Sequence, residues 1–163
     1  MKVFSHERFH DVYAFDPAPP PGRTAAIVTA LRGRVDFVIA EPAEPGDIFA
    51  VHEPAHVEDV KREGVYEIAA LAAGGAVQAA ELGLVEPCFA LIRPPGHHAS
   101  AGSAWGFCYF NNMAVALERL YRKGAIANAF VLDFDLHFGD GTVHILGEKG
   151  YATVFNPSST DRR

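Results

Sequence analysis

Cysteine is scarce in this sequence. Two of its 163 residues carry thiols, Cys88 and Cys108. That is too few for a disulfide framework, so a reduced, cytoplasmic protein is expected. No apolar run is long enough to span a bilayer, and Met1 to Glu7 lack the apolar region of a signal peptide. Membrane partners are therefore not expected. Positive charge is not in excess: the net charge is -6 with histidine neutral, and no basic stripe appears. This excludes the electrostatic footprint of direct nucleic-acid binding. Repeats, low-complexity tracts and signs of a second domain are also missing, so residues 1–163 read as one domain.

What is present is ordinary for a globular protein. Hydrophobic residues make up 49% and charged residues 21%, enough for a core at this length. Eight histidines are more than such a chain needs, and two of them, His97 and His98, are adjacent.

Strand and helix patterns alternate along the chain. Lys2 to Ser5, Val35 to Ala40, Cys88 to Ile92, 129–136 and Tyr151 to Phe155 read as strands. Asp16 to Gly22 holds four prolines and can be neither helix nor central strand. Arg23 to Leu31 reads as a helix with Ala26, Ile27, Ala30 and Leu31 on one side. Asp47 to Val51 and Pro54 to Arg62 are predicted short helices, the second with proline in its first turn. A longer helix is predicted over Tyr66 to Leu82, burying Ile68, Leu71, Ala72 and Ala76. Its Gly74-Gly75 pair weakens helix propensity and marks a close approach by another element. Tyr109 to Lys123 reads as amphipathic, with Phe110, Met113, Ala114, Leu117, Leu120 and Tyr121 on one face, Asn111 or Asn112 as cap and Gly124 as stop. A short helix near Thr142 to Leu146 follows. The alternation predicts an α/β fold, a parallel sheet with helices on both faces.

The chain is organised around Val131-Leu132-Asp133-Phe134-Asp135-Leu136-His137-Phe138-Gly139-Asp140-Gly141-Thr142. An apolar run enters this stretch as a buried strand. Asp133, Asp135 and His137 then recur every second residue, so an extended chain points them to one face. Leu132, Phe134 and Leu136 point to the other, into apolar packing. Carboxylate and imidazole at the carboxyl end of a buried strand suit a divalent metal, zinc first. His97 and His98 follow another buried strand, so both motifs should share one sheet edge. Adjacent rings suit proton transfer better than joint ligation, since a free imidazole has a pKa of ~6.5. Asp133 and Asp140 are spare carboxylates that could orient the two rings.

Three blocks resemble the histone deacetylase superfamily, which includes acetylpolyamine amidohydrolases and acetoin-utilisation proteins. They are Arg93-Pro94-Pro95-Gly96-His97-His98-Ala99, Gly106-Phe107-Cys108-Tyr109-Phe110-Asn111-Asn112, and Asp133 through Thr142. A weaker likeness begins near Val51-His52-Glu53-Pro54-Ala55-His56-Val57. The resemblance implies an arginase/deacetylase-like fold and hydrolysis of the amide of an acetylated lysine peptide or acetylated small amine. It implies Asp135 and His137 as zinc ligands, and His97 and His98 as the histidines that handle protons. Asp133 would orient His97 and Asp140 would orient His98. Phe107 would wall the tunnel for the acylated chain, and Gly106 would offer its carbonyl nearby. The backbone carbonyls of Asp133, Asp135 and His137, with the Asp133 side chain, would surround a potassium ion.

The sequence departs from the family in four places. Phe138 replaces a usual second histidine, and Pro20-Pro21-Gly22-Arg23 stands where the family has His-Pro-Glu before its arginine. The family's third zinc ligand, a downstream aspartate, has no counterpart here, since Asp161 comes too early. Its Gly-rich segment ending in an oxyanion-binding tyrosine has none either. The chain thus reads as the N-terminal part of a deacetylase-like catalytic domain, with little activity alone. The competing readings are a non-catalytic interaction domain and one half of a split enzyme. An unpaired sheet edge should make the chain pair with itself or with a missing C-terminal half.

Overall fold

The computed structural model describes residues 1–14 and 21–157. Most of the proline-rich segment, the loop after Pro157, and Asp161 lie outside the described residues. The elements, in order, are β1 (Lys2–Ser5), a 3-10 turn (Glu7–His10), α1 (Arg23–Leu31), β2 (Asp36–Ile39), α2 (Pro45–Ile48) and α3 (Pro54–Arg62). Then come α4 (Tyr66–Gly83), β3 (Cys88–Ala90), α5 (Asn112–Arg122), β4 (Ala129–Leu132), α6 (Asp140–Gly147) and β5 (Ala152–Phe155).

Among the described residues all strand pairs are parallel, and they form two sheets. One runs β2-β1-β3, with Val3 opposite both Phe37 and Phe89. The other pairs β4 with β5, placing Leu132 opposite Phe155. Parallel neighbours need crossover connections, and the helices supply them. α4 packs on β1, β3 and α5, while α6 packs on β5. The α/β architecture is that read from the alternation of elements.

α4 is buried on nearly every side from Ile68 to Gly75, and the core gathers around it. Phe9, Ile48, Val57, Ala72, Phe110, Val115 and Leu146 all join that core. The Gly74-Gly75 pair has the packing role expected of it. A Cβ on Gly74 would strike the Glu41 carbonyl oxygen, and one on Gly75 would lie 2.8 Å from Ile92 Cγ2. The cost in helix propensity is thus exchanged for close backbone approach.

Four sequence expectations need correction. Ala26, Ile27 and Ala30 of α1 are exposed, and the inward line is Thr24, Val28 and Leu31. On α5, Met113 and Tyr121 are exposed at the margins of the apolar face, and Tyr121 instead stacks on Tyr151 with centroids 4.1 Å apart. β4 ends at Leu132 rather than 136. Leu132, Phe134 and Leu136 do not enter apolar packing: they are 51%, 83% and 74% exposed, because nothing among the described residues covers that face.

Candidate functional site

Both histidine-bearing segments begin where a strand stops. β3 hands the chain to a turn closed by the Ala99 N–H on the Gly96 carbonyl at 3.0 Å. The His97 carbonyl accepts from the Thr142 N–H at 3.1 Å, which ties this turn to α6. Beyond β4, the Asp133 N–H makes a last ladder bond to the Phe155 carbonyl at 3.0 Å. The strand then ends for a local reason. Asp133 Oδ1 accepts the Asp135 N–H at 3.1 Å, and Asp135 Oδ1 accepts the His137 N–H at 2.8 Å. Each carboxylate captures the backbone donor two residues on, and the chain bends instead of extending.

The bend still brings the sequence-predicted residues together. His97 Nδ1 lies 3.0 Å from Asp133 Oδ2, and His98 Nδ1 lies 2.7 Å from Asp140 Oδ1. Ionised carboxylates only accept, so each Nδ1 donates and each Nε2 is left as an acceptor. The two rings sit 4.0 Å apart at 42°. The His98 ring is buried, that of His97 mostly so. Gly139 holds its place because a Cβ there would strike Asp133 Oδ2. Burial alone would raise Asp140, but hydrogen bonds from His98 and Trp105 outweigh it and hold the carboxyl below its ordinary range. Asp135 behaves alike, its burial outweighed by the His137 N–H and the nearby imidazoles.

A third segment closes the site. Gly106 and Phe107 both take left-handed backbone, φ 59° and 67°. For phenylalanine this is an uncommon conformation that the surroundings must impose. The φ at Gly106 and the His98 ring, which a Cβ there would strike, both require glycine. The clamp on this loop comes from α3 and the residues before it. His52 donates from Nδ1 to the Ser100 carbonyl at 3.0 Å and accepts the Asn111 N–H at Nε2 at 2.9 Å. His56 Nε2 lies 2.7 Å from the Tyr109 carbonyl. Burial, then the charge of His56, pull His52 down to about 4, so it is neutral. Asn111 does more than cap α5 through the Ala114 N–H at 3.0 Å. Its Nδ2 also reaches the Ala99 carbonyl at 3.0 Å and Thr142 Oγ1 at 3.1 Å. Sequence reasoning missed the roles of His52, His56 and Trp105, none of which belongs to a periodic pattern.

A cavity of about 600 Å³ opens over these groups. His97, His98, Phe107, Asp135 and His137 line it, with Arg93 farther along the wall. Asp135 Oδ1 and His137 Nδ1 are 3.2 Å apart. Two ligands of one tetrahedral zinc ion, each bonded at about 2.0–2.2 Å, lie roughly 3.3–3.6 Å apart. The pair therefore fits two positions of such an ion with little movement. Among the described residues no group of three or more His, Cys, Asp or Glu side chains forms a metal cage. Below the rings, Cys108 accepts the His98 backbone N–H at 3.4 Å, and burial pushes its thiol up to about 12. That makes it packing rather than a nucleophile.

The histone deacetylase domain family matches residues 60–158 of the chain. The chain belongs to the histone deacetylase family. A probable deacetylase of Methanothermobacter thermautotrophicus is 39% identical over 144 residues, covering 76% of the chain and 44% of the relative. An acetylpolyamine amidohydrolase of Mycoplana ramosa is 43% identical over 89 residues, covering 53% and 26% respectively. The crystal structure of the HDA15 HD domain superposes with a TM-score of 0.84 at 28% identity, covering 95% of the chain and 52% of that domain. The chain thus spans less than half the length of these two relatives, and about half of the solved domain.

Proposed function

We propose that the chain carries the proton-transfer half, and two metal positions, of a zinc-dependent deacetylase site acting on an N-acetylated lysine or small amine. The observation that carries this is the pair of adjacent imidazoles, each with its own carboxylate, over the Asp135–His137 donor pair in one cavity. Asp135 and His137 would hold the zinc, which when bound polarises a carbonyl and lowers the pKa of water. The backbone carbonyls of Asp133, Asp135 and His137, with the Asp133 side chain, are the proposed potassium surround.

The chain's own residues do the rest. His98 takes a proton from water at Nε2, and Asp140 holds the charge that develops on the ring through Nδ1. The proton taken up at His98 Nε2 passes to the amine nitrogen as the C–N bond breaks, with His97, held by Asp133, as the electrostatic or acid partner beside it. One water enters, and acetate and the free amine leave. Phe107 walls the acyl chain's path, and the Gly106 carbonyl borders it. The acidic balance of the chain favours a cationic substrate.

The test uses the whole protein as encoded. Substituting His98→Ala should lower turnover of an acetyl-lysine peptide by ~10²–10⁴. Turnover close to wild type would end this reading. A second reading, half of a split site or an interaction domain, draws on one observation: the uncovered row Phe130, Leu132, Phe134 and Leu136. Such a row is a docking face rather than a solvent face.

A further inference from the structure

The two imidazole–carboxylate pairs are built differently. In each, one carboxylate oxygen holds the imidazole, and the other needs a donor if the carboxylate plane is to stay fixed. For Asp133 that donor is backbone, the Asp135 N–H at 3.1 Å. For Asp140 a side chain is added to backbone: Trp105 Nε1 donates to Oδ2 at 2.8 Å, and the Gly141 N–H also donates to the carboxylate. The same indole lies on the His98 ring, centroids 3.7 Å apart at 29°. One side chain thus touches both members of the pair.

Trp105 is 55% exposed, so its place is set from the backbone side. The Cys108 N–H reaches the Trp105 carbonyl at 3.1 Å, so the backbone beneath the indole is tied down. His98 is closed in by the indole, by the His97 ring, and by Gly106, where even a Cβ would collide. Asp140 is more open, its side chain 42% exposed. Without the indole donor, water would compete for Oδ2 and the carboxylate would turn about its side-chain bonds. Without the indole face, water would reach the imidazole and compete for its Nδ1 bond.

We infer that Trp105 is a positioning residue: it sets the plane of the His98 ring and the rotamer of Asp140 at once. Its catalytic consequence rests on the proposed deacetylase reading, but the positioning does not.

Trp105 is the one tryptophan of the chain, so a single indole N–H resonance reports on it in an NMR spectrum of residues 1–163. That resonance should be protected from solvent exchange, and Asp140→Asn should shift it and speed its exchange. The His98 Nδ1–H resonance should appear in the wild type. It should survive but move in Trp105→Phe, which keeps the face and loses the donor. In Trp105→Leu, which loses both, it should broaden away. An indole N–H exchanging as fast as free tryptophan would overturn the inference. So would a His98 resonance identical in all three proteins. The Asp140→Asn variant retains the indole, so it decides the contact even if a Trp105 variant folds poorly. In the whole protein, Trp105→Leu should lower kcat by about 10–100-fold, as loss of an orienting partner does, with KM little changed and partial recovery in Trp105→Phe. A protein with no deacetylase activity whose resonances respond as stated removes the deacetylase reading and supports the positioning. Full kcat in Trp105→Leu would overturn it.

Discussion

Acid should weaken this protein through His52 in particular. The ring is buried and neutral, donating to Ser100 and accepting from the Asn111 N–H. Protonation puts a proton on the one nitrogen that must accept, with His56 only 5.2 Å away ring to ring. The folded-state pKa of about 4 lies below the ordinary imidazole value of 6.5. The folded state therefore binds fewer protons than the unfolded state in this window. The stabilisation is full above pH 6.5, is lost as pH falls toward 4, and changes no further below that. A shift of this size corresponds to about 3 kcal/mol at 1.36 kcal/mol per pKa unit. Other groups titrate in the same range, so the measurement is a difference. Urea unfolding of the wild type and of His52→Gln, at steps from pH 7.5 to 4, isolates the His52 contribution. The variant should be less stable at pH 7.5, and the gap should close by about 3 kcal/mol on acidification. Parallel curves across the window would refute the assignment of His52 as a neutral clamp.

Three further outcomes follow from particular contacts. Asp135→Ala or His137→Ala should lower zinc content of the whole protein, read by atomic emission, and an unchanged stoichiometry would remove both as ligands. Asn111→Ala deletes a helix cap and two buried hydrogen bonds, which should cost about 2–4 kcal/mol in urea unfolding; a loss under 1 kcal/mol would show that water replaces the amide. Replacing Phe134 and Leu136 by serine should reduce self-association of residues 1–163 in sedimentation while the unfolding midpoint stays within about 0.5 kcal/mol, since exposed side chains carry little stability; unchanged association would show that the row is not the adhesive face.

Much of this fold was legible because its elements announce themselves locally. α3 begins at Pro54 and α4 is itself a long apolar run, so these were read almost to the residue, while α5 was read from Tyr109 and begins at Asn112, behind its Asn111 cap. That Asp133 and Asp140 could serve the two imidazoles was legible from their place near strand ends, and which carboxylate holds which ring followed from the family resemblance. What the sequence did not carry was their environment. Trp105 reaches Asp140 across 35 positions, and His52 reaches Asn111 across 59. No period or spacing encodes such contacts, because they arise when separate loops are brought together by the sheet.

The misread stretch is the most informative. Asp133, Asp135 and His137 alternate with Leu132, Phe134 and Leu136, and period two is the signature of a strand. Yet aspartate also competes for backbone donors, and two aspartates spaced by two can each capture the N–H that a strand would need. Here the second tendency wins, since no further strand beside β4 offers those N–H groups a ladder partner among the described residues. The apolar half of the alternation is left facing outward, with Phe134 at 83% exposure. The polar half is bent into a compact array that aims Asp135 and His137 at one point. The same spacing thus brings the proposed metal pair together through a turn, and leaves the apolar row exposed.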